Sequence, residues 1–476
     1  MLTVTPKIRP PLDRDFLPAS LWNRAYRELA ARDRRARPFC VTVERPNGGI
    51  SRFEGRVLDE DHPAAGLNLR YAERVLKSLL WLKGGFRVRV AGAPEIAAQL
   101  ASIYSPKGER AFDHGFLGEV IYRRPFDIGA AELGDLPQER APGLAVGRHL
   151  DGCRIGFDLG GSSRKAVAVR DGRVVFSEEA PWDPCFQRDP EYHIERVGDL
   201  LRRAAEHLPR VDAIGGSAAG TYVNNEVRAA SLFRGVPADL FAARIRLMFL
   251  ELQRRWGGVP LVVMNDGEVS ALAGSMTQGA NAVFGTSLGT SQAGGYVTPA
   301  GELTSWFNEP AFAPVDYRPD APRDEWSGDA GCGAQYFSQQ GVARLAARAG
   351  FRFPGPMPVP ERLAQVQAAM RRGESRGAEI YDSIGVYLGY AIAQYADHYE
   401  IRHVLVSGGV TSGAGGERML AQATAVLRAE FPELAKTITC HMPEEKDRRL
   451  GQAIAAASLP VIKRSATANP SHTQRP

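Results

Sequence analysis

The chain has 476 residues, 44% of them hydrophobic, and a formal net charge of +5. That size and apolar content allow about two to four cores, and so small a charge, spread along the chain, leaves no electrostatic footprint for nucleic acid. The five cysteines, at 40, 153, 185, 332 and 440, form no Cys-x-x-Cys pair and no cysteine–histidine cluster. This argues against a disulfide framework, a structural zinc or an iron–sulfur cluster, and fits a reducing cytoplasm.

The N-terminus, MLTVTPKIRPPLDRDF, has no apolar signal-like run, and no stretch of 18 apolar residues follows, so neither secretion nor membrane insertion is expected. The arginine-rich stretch 23–38 interleaves Glu28 and Asp33 at helical spacing and reads as a solvated helix face, with a phosphate or partner surface as the other reading. Leu69, Ala72, Val75, Leu79 and Leu80 share one face of a predicted helix over 68–83, which Gly84-Gly85 ends. An alternating strand, FRVRV, follows, then a helix over PEIAAQLASIY with proline at its first position. FLGEVIYRRPFDI is strand-like, so residues 1–150 read as an α+β extension of unknown role, closed by a Gly/Pro/acidic linker over 129–152.

From Arg154 the pattern becomes an apolar strand to Leu159, a tight turn over Gly160, Gly161 and Ser162, and a returning strand from Ser163 to Val169. Asp171-Gly172 then makes a hairpin turn of the kind that needs positive φ. The same order recurs at AVFGTSLGTSQAGGYVTPAGELTSW, 282–306. Gly172 follows Leu159 by thirteen residues and Gly301 follows Leu288 by thirteen, while Gly160-Gly161-Ser162 matches Gly289-Thr290-Ser291. Two related β-meanders are therefore expected. Turns of this composition gather backbone N–H groups and hydroxyls toward one point, and glycine lets a phosphate approach the backbone closely.

The ordered segments FDLGGSS, PLVVMNDGEVSALAGSM, FGTSLGTSQAGG and HVLVSGGV resemble the phosphate-1, central Asn-Asp, phosphate-2 and adenosine motifs of the actin-like ATPase and sugar-kinase superfamily. More narrowly they resemble the ROK family of sugar kinases and sugar-responsive repressors, over about 154–460. The resemblance implies an α/β fold with two actin-like, RNase H-like lobes around a nucleotide cleft. The first lobe would span 151–275 together with a C-terminal helix over 451–462. The second would span 276–450, and a polar tail over 463–476 is expected to be disordered.

By the same resemblance, Asp266 is the general base toward a sugar hydroxyl, and Asn265 and Glu309 contact the sugar. Gly160, Gly161, Ser162, Ser163, Gly289, Thr290 and Ser291 hold phosphates, and Gly408-Gly409 lies against the adenosine. Asp158 holds Mg²⁺ through water, a task for a hard oxygen ligand. Other readings of the same residues are turn capping for Asp158 and helix capping for Asp266.

The chain also departs from the family. Phe312 stands where a histidine is usual, the zinc-binding cysteines are missing, so no zinc is expected, and Ala334 replaces a sugar-contacting glutamate. Ser162-Ser163 replaces Thr-Lys, with Lys165 on the face of Ser163. SAAG (217–220) and SLF (231–233) lack the usual Pro-Gly and Asn-Leu; Asn224-Asn225 reads as a polar turn, with replacement hydroxyl contacts to the sugar as the other reading. Of the nearby aromatics Trp306, Phe307, Trp326 and Tyr336, most are expected to fill core.

The expectation is a cytoplasmic ATP- and Mg²⁺-dependent sugar kinase with small-molecule substrates, no nucleic-acid or membrane partner, and compatibility with a homodimer. The alternatives are a non-catalytic sugar or nucleotide sensor and an actin-like phosphotransferase with a non-sugar acceptor.

Overall fold

The computed structural model describes residues 2–141, 143–144, 146–355, 357–443 and 445–462, with backbone alone over 445–449. The tail expected over 463–476 lies outside the described residues. Two compact units emerge, Met1–Leu144 with Asp266–Gly451, and Ala145–Asn265 with Gln452–Pro476. This division differs from the three segments expected from sequence: the N-terminal extension forms one unit with the second half of the chain, and Asp266–Gln278 belongs there too.

The extension builds a four-stranded sheet of order β2-β1-β3-β4, with β1 Arg37–Glu44, β2 Ile50–Val57, β3 Arg87–Ala91 and β4 Asp127–Ala131. Helices α1 (Ala19–Arg32), α2 (Asn68–Leu82) and α3 (Pro94–Ile103) accompany it. α2 is buried on nearly every side: besides Val75, Leu79 and Leu80, its Glu73, Arg74 and Lys77 are buried. The arginines of α1 are more than a solvated face, since Arg27 pairs with Asp397 at 2.8 Å and Arg24 lies over the ring of Phe431.

Phe116–Tyr122, expected as strand, is a π-helical turn continuing the short helix Ala111–Gly115. Its aromatic and apolar residues fall four apart: Phe112 stacks on Phe116 at 5.2 Å, and Leu117 and Ile121 are both buried. That spacing serves one helical face, and Arg123 at φ 52° ends it. The segment expected as linker contributes β4 and the two-residue β5 (Gly143–Leu144).

The other unit carries β6 Cys153–Leu159, β7 Ser163–Arg170, β8 Arg173–Pro181, β9 Ala213–Ala218, β10 Thr221–Val223, β11 Glu226–Ala229 and β12 Leu261–Asn265. Its main sheet has the order β12-β9-β6-β7-β8: the β6–β8 meander is antiparallel, and β9 and β12 add parallel to β6. Asp171 and Gly172, at φ 48° and 81°, make the expected hairpin turn. Asn224-Asn225, both at positive φ, turn β10 into β11, and the Asn225 amide bonds to β12 through Leu261 O and Val263 N–H.

The second half of the chain adds β13 Val283–Leu288, β14 Gln292–Val297, β15 Leu303–Thr304, β16 His403–Ser407 and β17 Thr439–His441, in the order β17-β16-β13-β14-β15-β5. A meander flanked by two parallel strands is the same topology as in the other unit. The repeat read from Gly172 and Gly301 thus reflects two copies of one sheet plan. The helix Ser375–Ala396, continuously buried from Ile380 to Tyr395, backs this sheet within a core that runs from Phe16 to Ile438. No helix among the described residues is long and apolar enough to cross a membrane.

Candidate active site

In the unit of β6, Asp158 lies one residue from the strand end and is 6% exposed. Its Oδ1 accepts from Ser217 Oγ at 2.9 Å, and Lys165, its cross-strand partner on β7, brings Nζ to 3.4 Å from Oδ2. Gln452 donates to Ser217 Oγ at 2.8 Å, so the C-terminal helix Glu445–Ala457 steadies the carboxylate at one remove. Burial pushes the Asp158 carboxyl above its ordinary pKa, against the opposing pull of Lys165 and Ser217.

The turn beyond it is closed by a hydrogen bond from Gly160 N–H to Ser163 O at 3.0 Å and held by Trp182 Nε1 on Gly160 O at 2.7 Å. Gly161 and Ser162 are exposed, and among the described residues their N–H groups have no protein acceptor. A Cβ on Gly161 would meet nothing within 4 Å, and neither glycine has positive φ. Nothing within the chain therefore demands glycine here, which suits a loop whose backbone is approached from outside. Ser163 begins the returning strand β7.

In the other unit, the loop Gly289-Thr290-Ser291 is one residue shorter, since Leu288 pairs with Gln292, whereas Leu159 pairs with Arg164. Gly289 N–H donates to Ser291 O at 2.9 Å, and Thr290 and Ser291 are exposed. Gly408, at φ 99°, packs against the backbone of Leu288, leaving no room for a side chain, whereas a Cβ on Gly409 would meet nothing within 4 Å. The second glycine loop and the Gly408-Gly409 turn are thus neighbours.

Asn265 ends β12 and donates its amide to Gly220 O at 2.7 Å. Asp266, next in the chain, begins the helix Asp266–Gln278 in the other unit, and its Oδ1 accepts from Gly267 N–H at 3.0 Å. That oxygen thus faces the first turn of the helix it begins. The start of this helix lies close on β14, where a Cβ on Gly295 would sit 2.5 Å from Glu268 Cα.

Glu309 belongs to the same unit. Burial, and after it the charges of Asp266 and Glu268, push its carboxyl up to about 8. Asp266 and Glu309, chosen from sequence, are thus brought into electrostatic contact, and Glu268 joins them unforeseen. Ser217 was also missed, for its approach depends on the parallel register of β9 on β6. Lys165 had a legible signal: a hairpin pairing Leu159 with Arg164 places Lys165 opposite Asp158.

The phenylalanine at the histidine position has a physical explanation. Phe312, at the histidine position, stacks on Trp81 of α2 at 4.2 Å and belongs to an aromatic cluster with Phe112. Tyr336 is core, Trp306 and Phe307 are half-buried, and Trp326 is 59% exposed. Among the described residues no group of three or more His, Cys, Asp or Glu could hold a metal. A single carboxylate such as Asp158 suits a magnesium ion bound largely by water and nucleotide phosphates.

No family model and no curated protein matches this chain. Solved structures do. The ROK hexokinase of Thermus thermophilus superposes with a TM-score of 0.51 at 18% identity, covering 64% of this chain and 96% of that one. A ROK family glucokinase from Streptomyces griseus, in complex with glucose and AMPPNP, gives 0.47 at 21% identity over 64% and 98%. A ROK family transcriptional regulator, a homologue of the E. coli MLC protein, gives 0.48 at 16% identity over 65% and 78%. Over nearly two-thirds of its length, this chain has the α/β fold seen in that ROK hexokinase.

Proposed function

We propose that the protein is an ATP-dependent sugar kinase of the ROK type, transferring the γ-phosphoryl group to a hydroxyl of a hexose or related sugar. The observation that carries this reading is the placement of Asp266 at a strand-to-helix junction, with Glu309 beside it held largely protonated at neutral pH. An ionised Asp266 can take the proton of an attacking hydroxyl, while a protonated Glu309 can donate a hydrogen bond to a second sugar oxygen and adds no third negative charge. Asn265 offers an amide to a further hydroxyl.

The loops at Gly160–Ser163 and Gly289–Ser291 offer exposed N–H groups and hydroxyls to phosphate oxygens, and Gly408-Gly409 presents a side-chain-free surface to the adenosine. Bound magnesium would neutralise charge on the transferring phosphate, with Asp158 holding it through water.

The test is ADP release with Mg-ATP across a panel of hexoses, amino sugars and sugar acids. Asp266→Ala is expected to lower turnover about 10³-fold or more, the scale of a lost catalytic base, while ATP still binds. Retained turnover in that variant would remove Asp266 from the mechanism.

A second reading, a non-catalytic sensor, draws on one feature: Asp158 is already engaged by Lys165 and Ser217, which compete with a metal-bound water. Nucleotide binding without turnover on any sugar would favour the sensor. Turnover on a non-sugar hydroxyl would keep the base and change the acceptor.

A further inference from the structure

α2 ends in the sequence WLKGG, and the last carbonyls of a helix have no partner within it. Three consecutive ones, of Trp81, Leu82 and Lys83, accept the N–H groups of Glu309, Asn308 and Phe307 at 2.9, 3.0 and 3.3 Å. The Tyr399 hydroxyl lies 3.0 Å from both Leu82 O and Asn308 Oδ1, tying the two strands of this contact together. Asn308 takes φ 52° and donates its amide to Glu268 Oε1 at 3.2 Å.

On one side, Lys83, only 4% exposed and pushed well below the ordinary lysine pKa by burial, sets its amine nitrogen 3.0 Å from the ring centre of Trp306 and 4.8 Å from that of Tyr399. Trp306 in turn stacks on Tyr296. On the other side, Phe312 stacks on Trp81. Residues 306–312 are thus moulded on the C-terminal turn of α2 along their whole length.

Glu309 needs such support. Its carboxyl is partly buried next to Asp266 and Glu268, and both burial and like charge favour its escape to solvent. We propose that the C-terminal turn of α2, with Lys83, Tyr399 and Asn308, is a positioning element that holds Glu309 beside Asp266, so that the first 144 residues serve the acceptor side of the site. The acceptor assignment rests on the proposed kinase function; the positioning of the loop does not.

The test uses the full chain with Tyr399→Phe and Lys83→Met, and Tyr296→Phe as control. The control loses a phenol hydrogen bond to Glu400 O, outside the loop. Amide hydrogen exchange over 305–311 is expected to quicken about tenfold in Tyr399→Phe, the effect of one lost buried hydrogen bond, and to quicken also in Lys83→Met, which removes the amine packed on Trp306, with no change over 384–395 in either. The control should leave 305–311 as in the parent.

In turnover, the acceptor KM is expected to rise about tenfold while the KM for ATP stays within about twofold, and the alkaline limb of the acceptor pH profile should move to lower pH as Glu309 returns toward an ordinary carboxyl. Unchanged exchange over 305–311 overturns the proposal, as does a fall in kcat with an unmoved acceptor KM. If Lys83→Met does not fold, Lys83→Arg and Trp306→Phe replace it under the same criteria. A parent that turns over no sugar would sink the kinase reading, and the exchange result would still decide the positioning role.

Discussion

Glu309 is where burial and like charge work in the same direction, and its protonation follows from both. An unfolded chain would ionise it near the ordinary glutamate value of about 4.3, whereas in the fold it gives up its proton only at about 8. Below the ordinary value it is protonated in both states, so its contribution to stability is fully present there. Between the two values the unfolded state alone releases the proton, and stability falls as pH rises until the folded carboxyl ionises too. Glu309→Gln removes the titration. Thermal melts at pH 5, 7 and 9 should show the Gln variant gaining on the parent as pH rises. An advantage that does not change across that range would show that Glu309 titrates normally.

The glycines of the two meanders divide into those the chain requires and those it does not. Gly408 has positive φ and backbone packed against the place of its missing side chain, so Gly408→Ala is expected to destabilise by about 1–3 kcal/mol or more, the cost of holding a non-glycine residue in such a conformation. Gly161→Ala meets open space at an unremarkable φ and should change stability by less than about 0.5 kcal/mol. It is nevertheless expected to weaken ATP binding by placing a methyl group where phosphate would approach. Denaturant titration with calorimetric ATP binding separates the two, and unaltered ATP affinity in Gly161→Ala would exclude that loop from the phosphate site. These meanders were legible in the sequence because strand, turn and return are contiguous there, so spacing alone carries the pattern. The register that brings Ser217 to Asp158, and the packing of α2 on residues 306–312, depend on segments separated by 59 and more than 200 positions, and no local pattern encodes them. FLGEVIY was misread as strand for a related reason: its apolar run is ambiguous until Phe112 and Phe116 find Trp81.

For the whole molecule, the decisive feature is that the N-terminal extension shares a core and a set of buried charges with residues 266–451. Asp329 lies among three extension cations, 3.1 Å from Arg74 Nη1, 3.2 Å from Lys77 Nζ and 2.8 Å from Arg110 Nη1. Lys77 also bonds Asp113 at 2.8 Å, and Arg110 bonds Glu73 at 2.8 Å. Three buried cations thus face three buried carboxylates. Burial would raise Glu73, but Arg74 and Arg110 outweigh it and hold the group down at about 2; the same contest, won by Arg74, Lys77 and Arg110, depresses Asp329 further. Both carboxylates therefore stabilise the fold above their ordinary values near 4, and that contribution is lost as pH falls toward 2 and below. Asp329→Asn leaves the cations short of one negative charge in a buried setting, for which the expected loss is about 3–5 kcal/mol. Because this carboxylate is the one supplied from outside the extension, its removal loosens the joint that seats α2. Urea titration at pH 7 should show the full loss, and the gap between variant and parent should narrow in acid as the parent's Asp329 becomes protonated. A loss below about 1 kcal/mol at pH 7 would mean that the cluster is an incidental neighbour of the joint and that apolar packing alone secures the extension.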